Sequence, residues 1–328
     1  MHLILPYAAS LALDTPSALA GLQLPNLQGL LQDLSLVDRL DPPEALPPHM
    51  PHERLLARAL GWPEDGPWPW AAWQTAQAGP SEALRPPAAS AQAWLTPCHW
   101  QVGMDQVVLL DPASLMLTDE ESQALMAALQ PLLHEDGLLL RWHDALHWHA
   151  SGDLLQDLPT ASLDRVIGQN LRHWLLAGSP GSAARTLSRL QSEVQMLLYH
   201  HPVNEAREVR RLPTVNAFWL HGAGRLPATL EPADLRGKAT RIELRADLRE
   251  SARQGDTAAW QATWQALDRS AMAKLRAHAQ GGGAVTLSLC SEDRAHTFET
   301  RPLPWTQRLQ RRLRPLRVAD ILQDLIVP

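Results

Sequence analysis

Between Tyr199 and Pro227 the chain reads YHHPVNEAREVRRLPTVNAFWLHGAGRLP, which sets Asn204, Arg207, Asn216, His221, Gly222, Gly224 and Arg225 beside a short apolar run. A Gly-Ala-Gly turn directly after an apolar strand is a candidate anion nest. Glycines let successive backbone N–H groups point into one concavity, and Arg225 adds charge. The same glycines serve equally as a sharp turn at a sheet edge. Leu226-Pro227 follows them, in place of the helix that a dinucleotide- or phosphate-binding loop needs.

Three further constellations have polar side chains at chemically useful spacing. Ser291-Glu292-Asp293-Arg294-Ala295-His296 follows an apolar strand, and in an open α/β sheet ligands bind at the carboxyl ends of parallel strands. Glu292, Asp293 and His296 are therefore candidate metal ligands or an acid/base set, against the simpler reading of a charged hairpin turn. In RWHDALHWHA, His147 and His149 share one face of a strand with His143 in the preceding turn. No carboxylate or cysteine stands beside them at metal-ligand spacing, which favours half-exposed strand histidines over a metal centre. Arg308, Arg311, Arg312, Arg314 and Arg317 cluster near the C-terminus, with no aromatic interleaving to suit nucleic acid. A solvated helix face accounts for them.

The bulk composition narrows the classes. A chain of 328 residues with 45% hydrophobic content has room for a real core in one large or two ordinary domains. A net charge of −6 gives no overall attraction to nucleic acid or to an anionic membrane. The N-terminal MHLILPYAAS lacks the basic and apolar regions of a secretory signal, and no apolar run nears the ~20 residues that span a bilayer. The expectation is a cytoplasmic protein with neither nucleic-acid nor membrane partner. Cys98 and Cys290 are the only cysteines, too few for a disulfide framework. Thirteen tryptophans against two phenylalanines and two tyrosines, with Trp68 near Trp70 and Trp260 near Trp264, point to packing wedges.

The elements that must position these residues follow from periodicity and punctuation. Strands are expected at His2 to Pro6, Val107 to Leu110, Leu138 to Trp142, Leu146 to His149, Val215 to Leu220, Arg241 to Arg245, Ala284 to Leu289 and Ala295 to Thr300. Helices are expected at Ala18 to Leu34, His52 to Leu60, Leu163 to Leu176, Ala183 to His200, after Asp256, and at Thr306 to Leu325. Thr118 and Glu121 form a capping box that opens another helix. Residues 63–97, rich in Pro, Ala and Trp, read as an irregular connection with at most one helix. Strands alternating with helices on both sides of a small βαββ unit argue for an α/β fold carrying a cap.

LQSEVQMLLYHHPVNEAREVRRLPTVNAFWLHGAG, with SLDRVIGQN upstream, resembles the signature stretch of the RpfE-type bacterial regulatory proteins, a family often described as phosphoglycerate mutase-like. The stretch also resembles the archaeal-type, cofactor-independent phosphoglycerate mutases of the alkaline phosphatase superfamily. LPNLQGLL is similar to their early helix and GDTAAWQATWQALDRSAMAKL to their late one. The resemblance implies an alkaline-phosphatase-like mixed sheet flanked by helices. Residues 1–95 and 156–328 would form the core and 96–155 an inserted βαββ cap.

Such mutases use two divalent metals and a phosphoryl-accepting serine, and here the pattern departs. The first strand ends Leu5-Pro6-Tyr7-Ala8-Ala9, without the Asp-Gly that supplies a ligand. PHERLLARALGW resembles the segment opened by the nucleophile, yet no serine lies between Ser35 and Ser81. Loss of nucleophile and ligands together removes the electrostatic stabilisation that drives phosphoryl transfer. The resemblance thus implies a regulatory or binding protein with no metal and no cofactor, whose partner is another protein or a phosphorylated small molecule. Asn204, Arg207, Asn216, His221, Gly222, Gly224 and Arg225 are the candidate ligand contacts. The alternative is an active, divergent mutase or phosphatase that holds manganese or zinc through Glu292, Asp293 and His296.

Overall fold

The computed structural model describes residues 1–42, 47–64, 66–78, 90–175, 181–227, 242–301 and 316–326. Its strands are β1 (His2–Leu5), β2 (Ser35–Leu40), β3 (Gln92–Cys98), β4 (Trp100–Val102), β5 (Val107–Leu109), β6 (Leu139–Asp144), β7 (His147–Ser151), β8 (Ala217–Gly224), β9 (Ile242–Leu244), β10 (Thr286–Cys290) and β11 (Ala295–Glu299). They divide between two compact units, Met1–Glu64 with Arg236–Pro328, and Asp65–Leu235. Both combine sheet and helix, as the α/β reading expects.

The first unit holds a mixed sheet in the order β2-β11-β10-β1-β9, with β1 parallel to β9 and β10, and β11 antiparallel to β10 and β2. Alternation decides its faces. Leu3, Leu5, Leu287, Leu289 and Phe298 enter a core completed by Leu27, Leu30 and Leu31 of helix Pro25–Asp33 and by Trp260 and Trp264 of helix Thr257–Leu267. On the other face His2 Nε2 meets Ser288 Oγ at 2.9 Å, and Ser288 Oγ meets Thr297 Oγ1 at 3.0 Å. Helix Pro51–Leu60 packs against β1 and β10.

Local chemistry sets the helix ends. Pro51 opens its helix at a position where a missing N–H costs nothing, Glu53 accepts from the Met50 N–H at 2.7 Å, and Gly61 closes it at φ +77°. The expected helix from Ala18 to Leu34 is two, Thr15–Leu19 and Pro25–Asp33, because Pro25 begins the second. That second helix is capped from a distance. The buried Asp268 carboxylate accepts from the backbone N–H groups of Leu27 at 2.8 Å and Asn26 at 3.2 Å.

The second unit holds an antiparallel sheet in the order β6-β7-β3-β8. Helices Asp119–Glu135 and Ser182–Tyr199 bury one face with Leu95, Leu140, Trp148, Phe218 and Leu220. The expected capping box stands, since Thr118 Oγ1 accepts from Glu121 N at 3.2 Å while Glu121 accepts from Thr118 N. Strands β4 and β5 form a separate ribbon whose Trp100 and Leu109 pack with Val166, Ile167, Leu171 and Trp219.

Several expectations need correction here. The insertion is wider than residues 96–155, because β3 and β8 pair with the β6-β7 hairpin and draw 65–235 into one unit. The βαββ unit is not a layer of its own, since β5 pairs with β4 instead of β6 and β7. Residues 63–97 contain helix Trp70–Ala78 and most of β3. The helix expected from Leu163 to Leu176 is a short turn, Leu163–Val166, then a 3-10 turn, Leu171–His173, with Gly168 at φ +76° between them. Arg308, Arg311, Arg312 and Arg314 lie outside the described residues; Arg317 precedes the helix Val318–Asp324. Among the described residues no helix is long and apolar enough to cross a membrane.

Candidate ligand cleft

The sheet of the second unit has a polar face opposite its leucine core. Register places Arg141, His149, Trp94 and His221 side by side across β6, β7, β3 and β8. Four adjacent strands thus contribute one polar or aromatic side chain each to a single row. Helix Trp70–Ala78 covers the β3-β8 part of this face, and a cleft of about 310 Å³ remains, lined by Gln74, Thr75, Trp94, His143, Asp144, His147 and His221.

Trp94 is the centre of the arrangement. Its indole N–H donates to Gln74 Oε1 at 2.6 Å, and three imidazoles surround the ring at centroid distances of 5.3 Å (His143), 5.8 Å (His147) and 5.5 Å (His149). The hydrogen bond fixes the indole, and the imidazoles present both apolar edges and ring nitrogens. Asp144, where the β6-β7 hairpin turns, accepts from Leu146 N at 2.9 Å and pairs with His147 Nδ1 at 2.8 Å. Burial pushes its carboxyl up, but the His147 hydrogen bond and charge and the Leu146 N–H outweigh that and leave it below its ordinary value.

The two inner histidines are neutral. Burial, with some repulsion from Arg141 and His143, lowers His149 from 6.5 to about 4, and its Nε2 meets Gln92 Oε1 at 2.8 Å. Burial, with repulsion from His147 only partly offset by Asp164, lowers His221 to about 3, and its Nε2 meets Thr96 Oγ1 at 3.1 Å. Between those values and 6.5 the unfolded chain takes up protons that the folded one refuses. The stability these groups support is therefore complete above 6.5 and lost as pH falls towards 4 and 3, by up to about 1.4 kcal/mol per pH unit for each imidazole. A His149→Gln variant is expected to show a flatter fall in urea-unfolding free energy between pH 6.5 and 4. An unchanged slope would place the acid sensitivity elsewhere.

Of the candidate ligand contacts named from the sequence, the structure brings His221 alone to this cleft, where it joins His143 and His147 of the histidine-rich hairpin. Asn204 is buried, with Nδ2 donating to the Leu198 and Val215 carbonyls and Oδ1 accepting from Val215 N. Arg207 is fully buried, donating to the Pro213 and Leu115 carbonyls and to Glu121. Asn216 brackets Trp100, accepting from its N–H at 2.7 Å and donating to its carbonyl at 3.0 Å. Arg225 pairs with Asp153 at 3.0 Å on the surface.

Gly222 and Gly224 belong to β8, and both are closely packed. A Cβ on Gly222, at φ +62°, would come within 3.1 Å of Trp70 Cβ and 3.2 Å of Ala71 N, and one on Gly224 within 3.0 Å of Pro69. Glycine lets the strand approach the helix start. His143 is on β6 and not in a turn, and His149 is wholly buried where a half-exposed residue was expected. Trp94, Gln74 and Asp144 escaped the sequence reading. Asp144 stands three residues before His147 across Ala145-Leu146, and that spacing was the available signal.

The other candidates sit in the first unit, at the carboxyl ends of β1 and β10. Ser291 and Arg294 close the β10-β11 hairpin through a 2.9 Å backbone bond, with Glu292 and Asp293 in its turn. Glu292 accepts from Ser10 Oγ at 2.5 Å and from Leu11 N at 3.3 Å; burial raises its carboxyl, against the Ser10 hydrogen bond. His296 is buried on β11, with Nε2 3.5 Å from Asp324 Oδ2, and burial lowers its pKa. Tyr7 and Ala8 fill the strand ends, and their carbonyls accept from the indole N–H groups of Trp260 at 3.0 Å and Trp264 at 3.1 Å. Among the described residues no three His, Cys, Asp or Glu side chains stand close enough to share a metal ion.

No family model matches the chain, and no curated protein sequence does. Among solved structures it is similar to the cofactor-independent phosphoglycerate mutase from Thermoplasma acidophilum, with 13% identity and a TM-score of 0.36 over 100% of this chain and 99% of that one. It is also similar to the PH0037 protein from Pyrococcus horikoshii, with 12% identity and a TM-score of 0.49 over 99% of this chain and 96% of that one.

Proposed function

We propose that this chain is a phosphoglycerate mutase-like protein that has lost the metal ligands and the serine nucleophile and acts in the cytoplasm as a binding or regulatory protein, with its ligand in the Trp94 cleft. One observation carries the reading. The carboxyl ends of β1 and β10, where the resemblance would put the metals, are packed with Tyr7, Ala8, Trp260 and Trp264, while the polar face with open space lies on the sheet of the second unit.

The test is an assay of 2- and 3-phosphoglycerate interconversion by the full chain reconstituted with manganese or zinc. No turnover above the metal-only control is expected. Interconversion that is lost in an Asp293→Asn variant would overturn the reading and establish the alternative, a divergent metal-dependent mutase or phosphatase. The Ser10-Glu292 hydrogen bond favours that alternative, because it sets a hydroxyl and a carboxylate together at the strand ends. Elemental analysis showing stoichiometric manganese or zinc in the purified protein would point the same way.

A further inference from the structure

We propose that the Trp94 cleft binds an organic ammonium group, held between the Trp94 indole and the Asp144 carboxylate. The inference rests on the cleft being the binding site and adds the chemistry of what enters it.

Charge argues first. Asp144 lines the cleft and no Lys or Arg does so among the described residues; Arg141 stands two strands from Trp94 in the same row, outside the lining, and the inner imidazoles of His149 and His221 are neutral. A phosphorylated or carboxylated ligand would find an anion there and, among the lining residues, no guanidinium or ammonium to meet its oxygens. A cation finds a carboxylate. His147 Nδ1 stands 2.8 and 3.0 Å from the two Asp144 oxygens and the Leu146 N–H donates to Oδ1; a carboxylate offers about four acceptor positions, so capacity remains for an N–H donor.

Ring geometry argues second. The imidazole that pairs with Asp144 has its centroid 5.8 Å from that of Trp94, so carboxylate and indole are one ring apart. Cations are attracted within about 6 Å of an aromatic centroid, most strongly by tryptophan. The Gln74 hydrogen bond holds the indole in place before a ligand arrives, which lowers the ordering cost of binding. A volume of about 310 Å³ suits a small molecule with one ring or a short alkyl chain beside its ammonium.

Three probes of one shape separate the possibilities: benzylammonium, benzyl alcohol and benzoate, each titrated at millimolar concentration and pH 7.5 into the full chain with binding read by ligand-observed NMR. Benzylammonium is expected to bind at least ~10-fold more tightly than benzyl alcohol, with benzoate weakest. Asp144→Asn is expected to abolish that preference. Asparagine still accepts from the Leu146 N–H, so the turn survives, and an unchanged melting temperature confirms it. Trp94→Phe is expected to weaken all three probes. A preference for benzoate, equal binding of the three, or an ammonium preference that survives Asp144→Asn would overturn the ligand class and leave the cleft as a site. Failure of every probe to bind, or binding indifferent to both substitutions, would overturn the cleft itself and this inference with it.

Discussion

An Arg207→Ala variant is expected to lose about 3–5 kcal/mol of stability in urea unfolding, the cost of removing one partner from a buried ion pair. Arg207 looks like a ligand contact in the sequence because it follows HPVN and precedes a strand. Its guanidinium is wholly buried and donates along three directions, to the Pro213 carbonyl at 2.9 Å, to the Leu115 carbonyl and to Glu121, each at 2.5 Å where the last two are concerned. Glu121 is already the N3 residue of the capping box on helix Asp119–Glu135 and also pairs with Arg210. Truncation would leave the Pro213 and Leu115 carbonyls without their donors and Glu121 with Arg210 and the Thr118 N–H alone of the donors named, in a place that water reaches poorly. Arg207→Lys is expected to recover only part of the loss, because one ammonium cannot span three acceptors held in a planar fork. A loss below about 1 kcal/mol for the alanine variant would show that these acceptors find other partners, and would reopen Arg207 to a functional role.

What could be read from the sequence divides by range. The Pro51–Leu60 helix, the Thr118-Glu121 capping box, β1, the β6-β7 hairpin and the β10-β11 hairpin each carry their signal within a few residues, in alternation, caps or turn residues. Strand β3 does not. Pro97 argues against a strand, but β7 pairs with Gln92 to Leu95 only, so Pro97 falls where β3 has a free edge on that side. Ala91 and Ala93 pack in the leucine core while Trp94 and Thr96 lie on the polar face, and small residues hide that alternation.

The candidate site divides in the same way. The row Arg141, His149, Trp94 and His221 exists only once four strands are in register, and its members are scattered between positions 94 and 221. A local scan instead finds polar density, and the densest stretch, from Tyr199 to Pro227, spends Asn204, Arg207 and Asn216 on backbone groups that helices and strands leave unpaired. A polar residue near a turn serves the turn as readily as a ligand, and burial is what tells the two apart.

A Trp264→Ala variant is expected to lose about 3–5 kcal/mol, read in the same unfolding experiment, and to gain no phosphoglycerate interconversion. Trp264 is completely buried, its ring centroid is 6.2 Å from that of Trp260 in an edge-on pair, and its N–H is the donor to the Ala8 carbonyl. Trp260 does the same for Tyr7, which holds a left-handed backbone at φ +56°, a conformation that costs a non-glycine residue roughly 1–2 kcal/mol. The two indoles therefore pack the core and also hold the segment that leaves β1, so removing either loses apolar burial and strands a carbonyl. Because both act on consecutive residues of one segment, the double variant is expected to cost less than the sum of the two single ones. Strict additivity would mean that each tryptophan fills its own space independently. The strand ends would then be two separate packing sites, and the segment from Tyr7 to Ala9 would owe its course to β1 and the backbone bond from Ala8 N to Cys290 O, at 2.8 Å, without the indoles.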